Sequence, residues 1–132
     1  REEQQVFTLS MHGKNNYPLR KEISDLDIEL EDDTGDATYL KCLTKNLYKV
    51  VEKFQPDFVF YQAGVDILKS DKLGRLGLTM EGCKKRDEIV VEFCKRNEIP
   101  LVVCMGGGYS SKLTHIIEAH ANTFRVVQNT FF

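Results

Sequence analysis

The sequence has no large excess of either charge, no long hydrophobic run and no C-x-x-C pair. Its 18 basic and 20 acidic residues leave a formal net charge of −2, so the chain as a whole carries no positive field to draw it to nucleic acid or to an anionic membrane. The longest apolar stretches, around Phe58 and Leu101, fall well short of the ~20 residues that a membrane-spanning helix needs. No signal-peptide pattern opens the chain. Cys42, Cys83, Cys94 and Cys104 are too widely spaced for a zinc ribbon or a thioredoxin motif. With no secretory signal, the four read as reduced, mostly buried thiols of a cytoplasmic protein. Internal repeats, low-complexity tracts and linkers are missing as well.

What remains suits a packed domain. With 132 residues, 42% apolar and 29% charged, the chain is long enough for one core and too short for two. Val6 to Met11 is apolar enough for a strand, and Leu26 to Leu30 alternates apolar and acidic residues as a half-exposed edge strand does. Thr34 or Asp36 can cap a helix over Ala37 to Phe54, whose Leu40, Leu43, Leu47, Val50, Val51 and Phe54 share a face. Pro56 ends that helix. Phe58 to Tyr61 and Leu101 to Met105 are continuous apolar runs of the kind buried on both faces of a parallel sheet. Between them Thr79 caps a helix that aligns Cys83, Val90 and Cys94, with Glu81 and Lys85 as an i,i+4 pair. Ser110 or Ser111 opens a last helix with Leu113, Ile116, Ile117, His120 and Phe124 inward, and the tail from Arg125 to Phe132 fits either a helix end or a strand. Strands alternating with helices indicate a parallel α/β sheet with right-handed crossovers.

Ligands of open parallel sheets gather beyond the carboxyl ends of the strands, and two such ends here carry unusual residues. The first, Tyr61-Gln62-Ala63-Gly64-Val65-Asp66, places a carboxylate just after a buried strand. It can ligate a metal, act as a base or cap a turn. The second, Met105-Gly106-Gly107-Gly108-Tyr109-Ser110, strips away side chains and permits positive φ, so backbone can approach a ligand closely. A phosphate cradle is a weak reading, since the run fits neither G-x-G-x-x-G nor G-x-x-x-x-G-K-[ST]. A phenol on such a loop can instead hydrogen-bond a developing oxyanion, or simply pack against the sheet. His115 and His120 lie roughly 140° apart around a helix and cannot face one metal. No nucleophile–base pair and no G-x-S-x-G occur. The acidic run from Glu29 to Asp36 lacks the pattern of a calcium loop and reads as a solvated turn.

Together, A-G-V-D at 63 to 66, S-D-K-L-G-R-L-G-L-T at 70 to 79 and G-G-G-Y at 106 to 109 resemble the histone deacetylase superfamily, which includes acetoin-utilisation proteins and acetylpolyamine amidohydrolases. With K-R-D-E following at 85 to 88, the chain is most similar to the class IV branch and related bacterial deacetylases, from about Val6 to Phe124. The resemblance implies a three-layer, arginase/deacetylase-like α/β fold and a zinc-dependent amide hydrolase. It matches Asp66 to a carboxylate zinc ligand, Tyr109 to the tyrosine that hydrogen-bonds the substrate carbonyl, and Gly107 and Gly108 to the loop that positions it. Leu73 matches a residue lining the acyl-lysine tunnel. Ser10 and Met11 match positions that supply a side-chain oxygen and a backbone carbonyl to a monovalent cation such as potassium. The implied zinc polarises the amide carbonyl and activates a water, while the phenol supplies an oxyanion hydrogen bond.

Members of this family also carry a histidine pair and a D-x-H motif ahead of the matched segment, and neither occurs in this sequence. Residues 1–132 are therefore expected to be a single partial domain, the C-terminal part of a deacetylase and inactive by itself. Arg1 in place of a methionine, and the Phe131-Phe132 ending, are expected of a piece of something longer. The substrates implied are an acetylated lysine peptide, a polyamine or another small amide, with no direct contact to nucleic acid or membrane. Two other readings remain: a non-catalytic α/β interaction module that self-associates through exposed apolar surface, and a small nucleotide-binding domain using Gly106 to Gly108. The second lacks a basic residue within its loop.

Overall fold

The computed structural model describes residues 3–132, so Arg1, which supports the expectation of an excised piece, lies outside them. The element order is β1 (Leu9–Gly13), β2 (Leu26–Leu30), α1 (Asp36–Phe54), β3 (Val59–Gly64), α2 (Met80–Arg96), β4 (Leu101–Gly106) and α3 (Leu113–Phe131). The architecture is α/β with parallel strands and three helices, as expected. The strands form two parallel pairs, β1 with β2 and β3 with β4, rather than one continuous sheet. Leu30, Tyr39, Leu43, Val65, Leu76, Leu78, Cys83 and Val90 belong to one core cluster fed by both pairs and the helices. No helix among the described residues is long and apolar enough to cross a membrane.

Helix α2 is central because its inner face meets both neighbouring helices and β3. Thr79 caps it as expected, its hydroxyl accepting from the Gly82 amide at 2.9 Å. Asp36 does not cap α1, whose N-cap is Gly35. Its carboxylate instead accepts from the Thr79 amide (2.9 Å) and hydroxyl (2.6 Å), tying the starts of α1 and α2 together. A Cβ at Gly82 would collide with that carboxylate, so the helices meet where a side chain is missing.

The same helix buries a charge pair. Arg86 and Asp87 are almost fully enclosed. Asp87 accepts from the Tyr61 hydroxyl on β3 (2.6 Å), the Thr123 hydroxyl on α3 (2.7 Å) and Arg86 Nε (2.9 Å). Arg86 NH1 donates to the Gly64 carbonyl at the end of β3 (2.5 Å). Every strong donor and acceptor is matched, which is the condition under which buried ions are tolerated. Burial holds the Tyr61 hydroxyl well above its usual range, so it stays a donor.

Several local expectations are corrected. The first strand begins at Leu9 rather than Val6. Both β3 and β4 expose one face: Phe58, Phe60 and Val102 point to solvent, Phe60 being 76% exposed. With only two strands and helices on one side, nothing among the described residues covers the other. Lys85 pairs with Glu88 at 2.8 Å instead of Glu81. Helix α3 starts after Lys112, not at Ser110 or Ser111, and runs through the ambiguous tail to Phe131. Its inner face is Ala119, His120, Thr123 and Val126, while Leu113, Ile117 and Phe124 are exposed. The small Ala119 and the Thr123 hydroxyl turn inward because α2 lies close and Asp87 needs a donor.

All four cysteines are free, with Cys83 and Cys94 buried and Cys42 and Cys104 half-buried. Burial pushes the Cys83 and Cys94 thiols up to about 11. At pH 8 a maleimide should therefore label Cys42 and Cys104 first and reach the other two only after unfolding. Peptide mapping checks this, and early labelling of Cys83 or Cys94 would contradict it. Arg86→Met leaves Asp87 buried without its cation and should lower the unfolding free energy by about 3–5 kcal/mol in urea titration.

Candidate active site

Three loops meet beyond the carboxyl ends of β3 and β4. The first follows β3 into Val65 and Asp66, and the second follows β4 through Gly106 to Tyr109. They are joined by a hydrogen bond from the Val65 amide to the Gly106 carbonyl at 2.9 Å. Gly107 and Gly108 have φ of +68° and +107°, values that side chains disfavour. Space is also lacking: a Cβ at Gly107 would lie 2.9 Å from Asp66 Cβ, and one at Gly108 would lie 2.8 Å from Ile116 Cγ2. The glycines let the loop fold directly over Asp66.

The third loop, Ser70 to Gly74, closes against the other two. Asp71 organises it. One carboxylate oxygen accepts from the Leu73 (2.9 Å) and Gly74 (2.8 Å) amides, and the other accepts from the Tyr109 amide (2.7 Å). The Lys72 amide returns a bond to the Tyr109 carbonyl at 3.3 Å. Gly74 sits so near the Asp66 carbonyl oxygen that a Cβ there would overlap it. Leu73 and Tyr109 stay largely exposed, at 63% and 59%, so Tyr109 does not pack against the sheet.

Asp66, Leu73, Gly107, Gly108 and Tyr109 are thus neighbours through their backbones. Ser10 and Met11 lie apart from these loops in sequence and pairing, on β1 against Asp27 and Ile28. The Ser10 hydroxyl is engaged with His12 Nδ1 at 2.8 Å, and Met11 packs on the core. Asp71 and Asp87 have their oxygens filled by protein donors. The half-buried Asp66 carboxylate has none among the described residues, and Gly64 keeps the space beside it open: a Cβ there would lie 2.8 Å from Asp66 Oδ1.

Sequence reasoning missed three residues, Asp71, Arg86 and Asp87. Asp71 was passed over within S-D-K-L-G, although Asp followed by Gly three residues later is a signal for a side chain that bonds the next amides. The Arg86-Asp87 pair served only as a marker of resemblance. Its signal was position, since both residues fall between Cys83 and Val90 on the inward stripe of the helix.

Catalytic zinc takes about three protein ligands and leaves one position open. Among the described residues no group of three His, Cys, Asp or Glu side chains gathers to hold a metal. Asp66 alone does not make a zinc site. A cavity of about 580 Å³ lies between the 68–70 and 78–80 segments and the start of α3, lined by Leu68, Ser70, Met80 and His115. Asp66 and Tyr109 do not line it.

Solved structures with the same architecture place the chain among deacetylase/arginase-like α/β folds. One is a homolog of the histone deacetylases complexed with SAHA: TM-score 0.74, 26% identity, covering 95% of this chain and 35% of that one. Another is the acetylpolyamine aminohydrolase of Burkholderia pseudomallei: TM-score 0.75, 19% identity, covering 94% of this chain and 38% of that one. An uncharacterized protein of Picosynechococcus is 35% identical over 126 residues, which make up 96% of this chain and 42% of that protein. Histone deacetylase 2 of Arabidopsis thaliana is 34% identical over 119 residues, covering 88% of this chain and 31% of that protein. The histone deacetylase domain profile matches residues 1–124. The chain belongs to the histone deacetylase family, and it spans about two fifths or less of the length of these relatives.

The crowding at Gly107 yields a direct expectation. Gly107→Ala should destabilise the fold by about 1 kcal/mol or more, because it adds both a φ penalty and a clash with Asp66. A smaller loss in thermal unfolding would mean that the loop relaxes freely.

Proposed function

We propose that these residues form the C-terminal part of a zinc-dependent deacetylase active site that hydrolyses N-acetyl-lysine-type amides. The observation that carries this is the meeting of the Asp66, Leu73 and Tyr109 segments beyond the ends of β3 and β4. In this reading Asp66 is one metal ligand. The two remaining ligands and the histidine pair come from residues outside these 132. Tyr109 hydrogen-bonds the substrate carbonyl as its oxygen gains charge, an interaction that strengthens towards the transition state and so accelerates the reaction. Gly107 and Gly108 set the approach of that loop, and Leu73 lines the passage for the acyl-lysine chain.

By this reading residues 1–132 bind zinc weakly and turn over no substrate alone. The acylated amine belongs to a protein lysine, a polyamine or another small amide, substrates in keeping with the acetylpolyamine aminohydrolase among the structural neighbours. Ser10 and Met11 contribute to a potassium-type cation site when the remaining ligands are present, and the protein works in the cytoplasm.

The exposed apolar side chains favour a second behaviour for the isolated chain. Phe58 and Phe60 lie with ring centroids 5.0 Å apart, tilted at 54°, beside Val102 on the uncovered face of β3 and β4. That surface suits self-association in the absence of a covering segment. Sedimentation of the isolated chain reads this out: concentration-dependent oligomers are expected, and a monomer at all concentrations counts against it.

The enzymatic reading is tested on the complete natural polypeptide carrying this segment, with a fluorogenic acetyl-lysine peptide. Tyr109→Phe should cut turnover at least ~100-fold, the loss typical of one oxyanion donor. Asp66→Asn should reduce bound zinc by metal analysis. Near-normal turnover in the first variant or full zinc occupancy in the second would overturn the assignment.

A further inference from the structure

Tyr109 follows two consecutive glycines with positive φ, the most permissive backbone in the chain. A phenol that must meet a developing charge needs its main chain fixed after such a stretch, because an error of ~1 Å can cost about 100-fold in rate. Helix α3 does not supply the fixing, since it begins only at Leu113. Asp71 does. Its carboxylate takes the Tyr109 amide at 2.7 Å, and the neighbouring Lys72 amide holds the Tyr109 carbonyl at 3.3 Å. An isolated antiparallel bridge between Asp71 and Ser110 continues the clamp.

The same carboxylate also reaches the other two segments. Its second oxygen closes the turn at Leu73 and Gly74, and Gly74 is seated on the Asp66 backbone. One side chain thus sets the spacing among Leu73, Tyr109 and Asp66. It is anchored by three amide donors, and bonds to an ionised acceptor are the strong ones.

We propose that Asp71 is a positioning residue that fixes Tyr109 and Leu73 relative to Asp66, acting on turnover through the Tyr109 phenol. This rests on the assignment of Tyr109 above. Asp71→Asn separates the two jobs of the carboxylate: its single carbonyl oxygen can still close the Leu73–Gly74 turn, while its amide group meets the Tyr109 amide donor to donor. Asp71→Ser, which can also close the turn but is too short to reach Tyr109, serves if the first variant fails to fold.

Both variants are measured in the complete polypeptide, alone and combined with Tyr109→Phe. Either should lower kcat by about 10- to 100-fold with KM changed less than about threefold, and by less than about twofold once the phenol is gone. Hydrogen exchange should quicken at the Tyr109 amide while α2 stays protected. Unchanged kcat in both variants, or losses that multiply with that of Tyr109→Phe, would overturn the role of Asp71. Full turnover in Tyr109→Phe alone would instead overturn the assignment beneath it.

Discussion

The ion pair of Arg86 and Asp87 is the constraint around which the rest of the fold is arranged. Two opposite charges removed from water need nearly every remaining hydrogen-bonding position filled. Filling them draws Tyr61 from β3, Thr123 from α3 and the Gly64 carbonyl from the end of β3 onto one side of α2. The pair therefore selects which faces of three elements turn inward. It explains why α3 buries Thr123 and Ala119 while leaving Leu113, Ile117 and Phe124 outside, against the simplest hydrophobic pattern.

The network also reaches the candidate site. Gly64 is two residues before Asp66, so the guanidinium of Arg86 fixes the point from which the first site loop departs. Where that loop turns, backbone approaches it closely: the Gly106 carbonyl, the Gly107 main chain and Gly74. Close main-chain contact and one carboxylate, Asp71, tie this region together above the buried Val65, Ile67 and Leu68 of the core.

Element type and order were legible in the sequence, because apolar periodicity and capping residues act locally. The Thr79 cap is an example, as is the stop at Pro56. The segments of the candidate site were legible as loops through their glycines, whose placement beyond strand ends follows from the parallel topology. What escaped were matters of partnership. Asp36 has the composition of a cap for its own helix yet serves the next, and the residues that decide this lie 43 positions away. The uncovered face of β3 and β4 escaped for a similar reason: Phe58 and Phe60 read as buried, and only the assembled layers reveal that nothing here lies over them.

The contact between Gly74 and the Asp66 carbonyl restricts length more than identity. Asp66 and Gly74 touch, and Asp71 must sit three residues before Gly74 to close the turn and reach Tyr109 at once. Lys72 and Arg75 project outward and can vary in size or charge without disturbing that geometry. A single residue added or removed between 66 and 74 would break it. The geometry therefore fixes the number of residues between A-G-V-D and D-K-L-G more tightly than the side chains they carry.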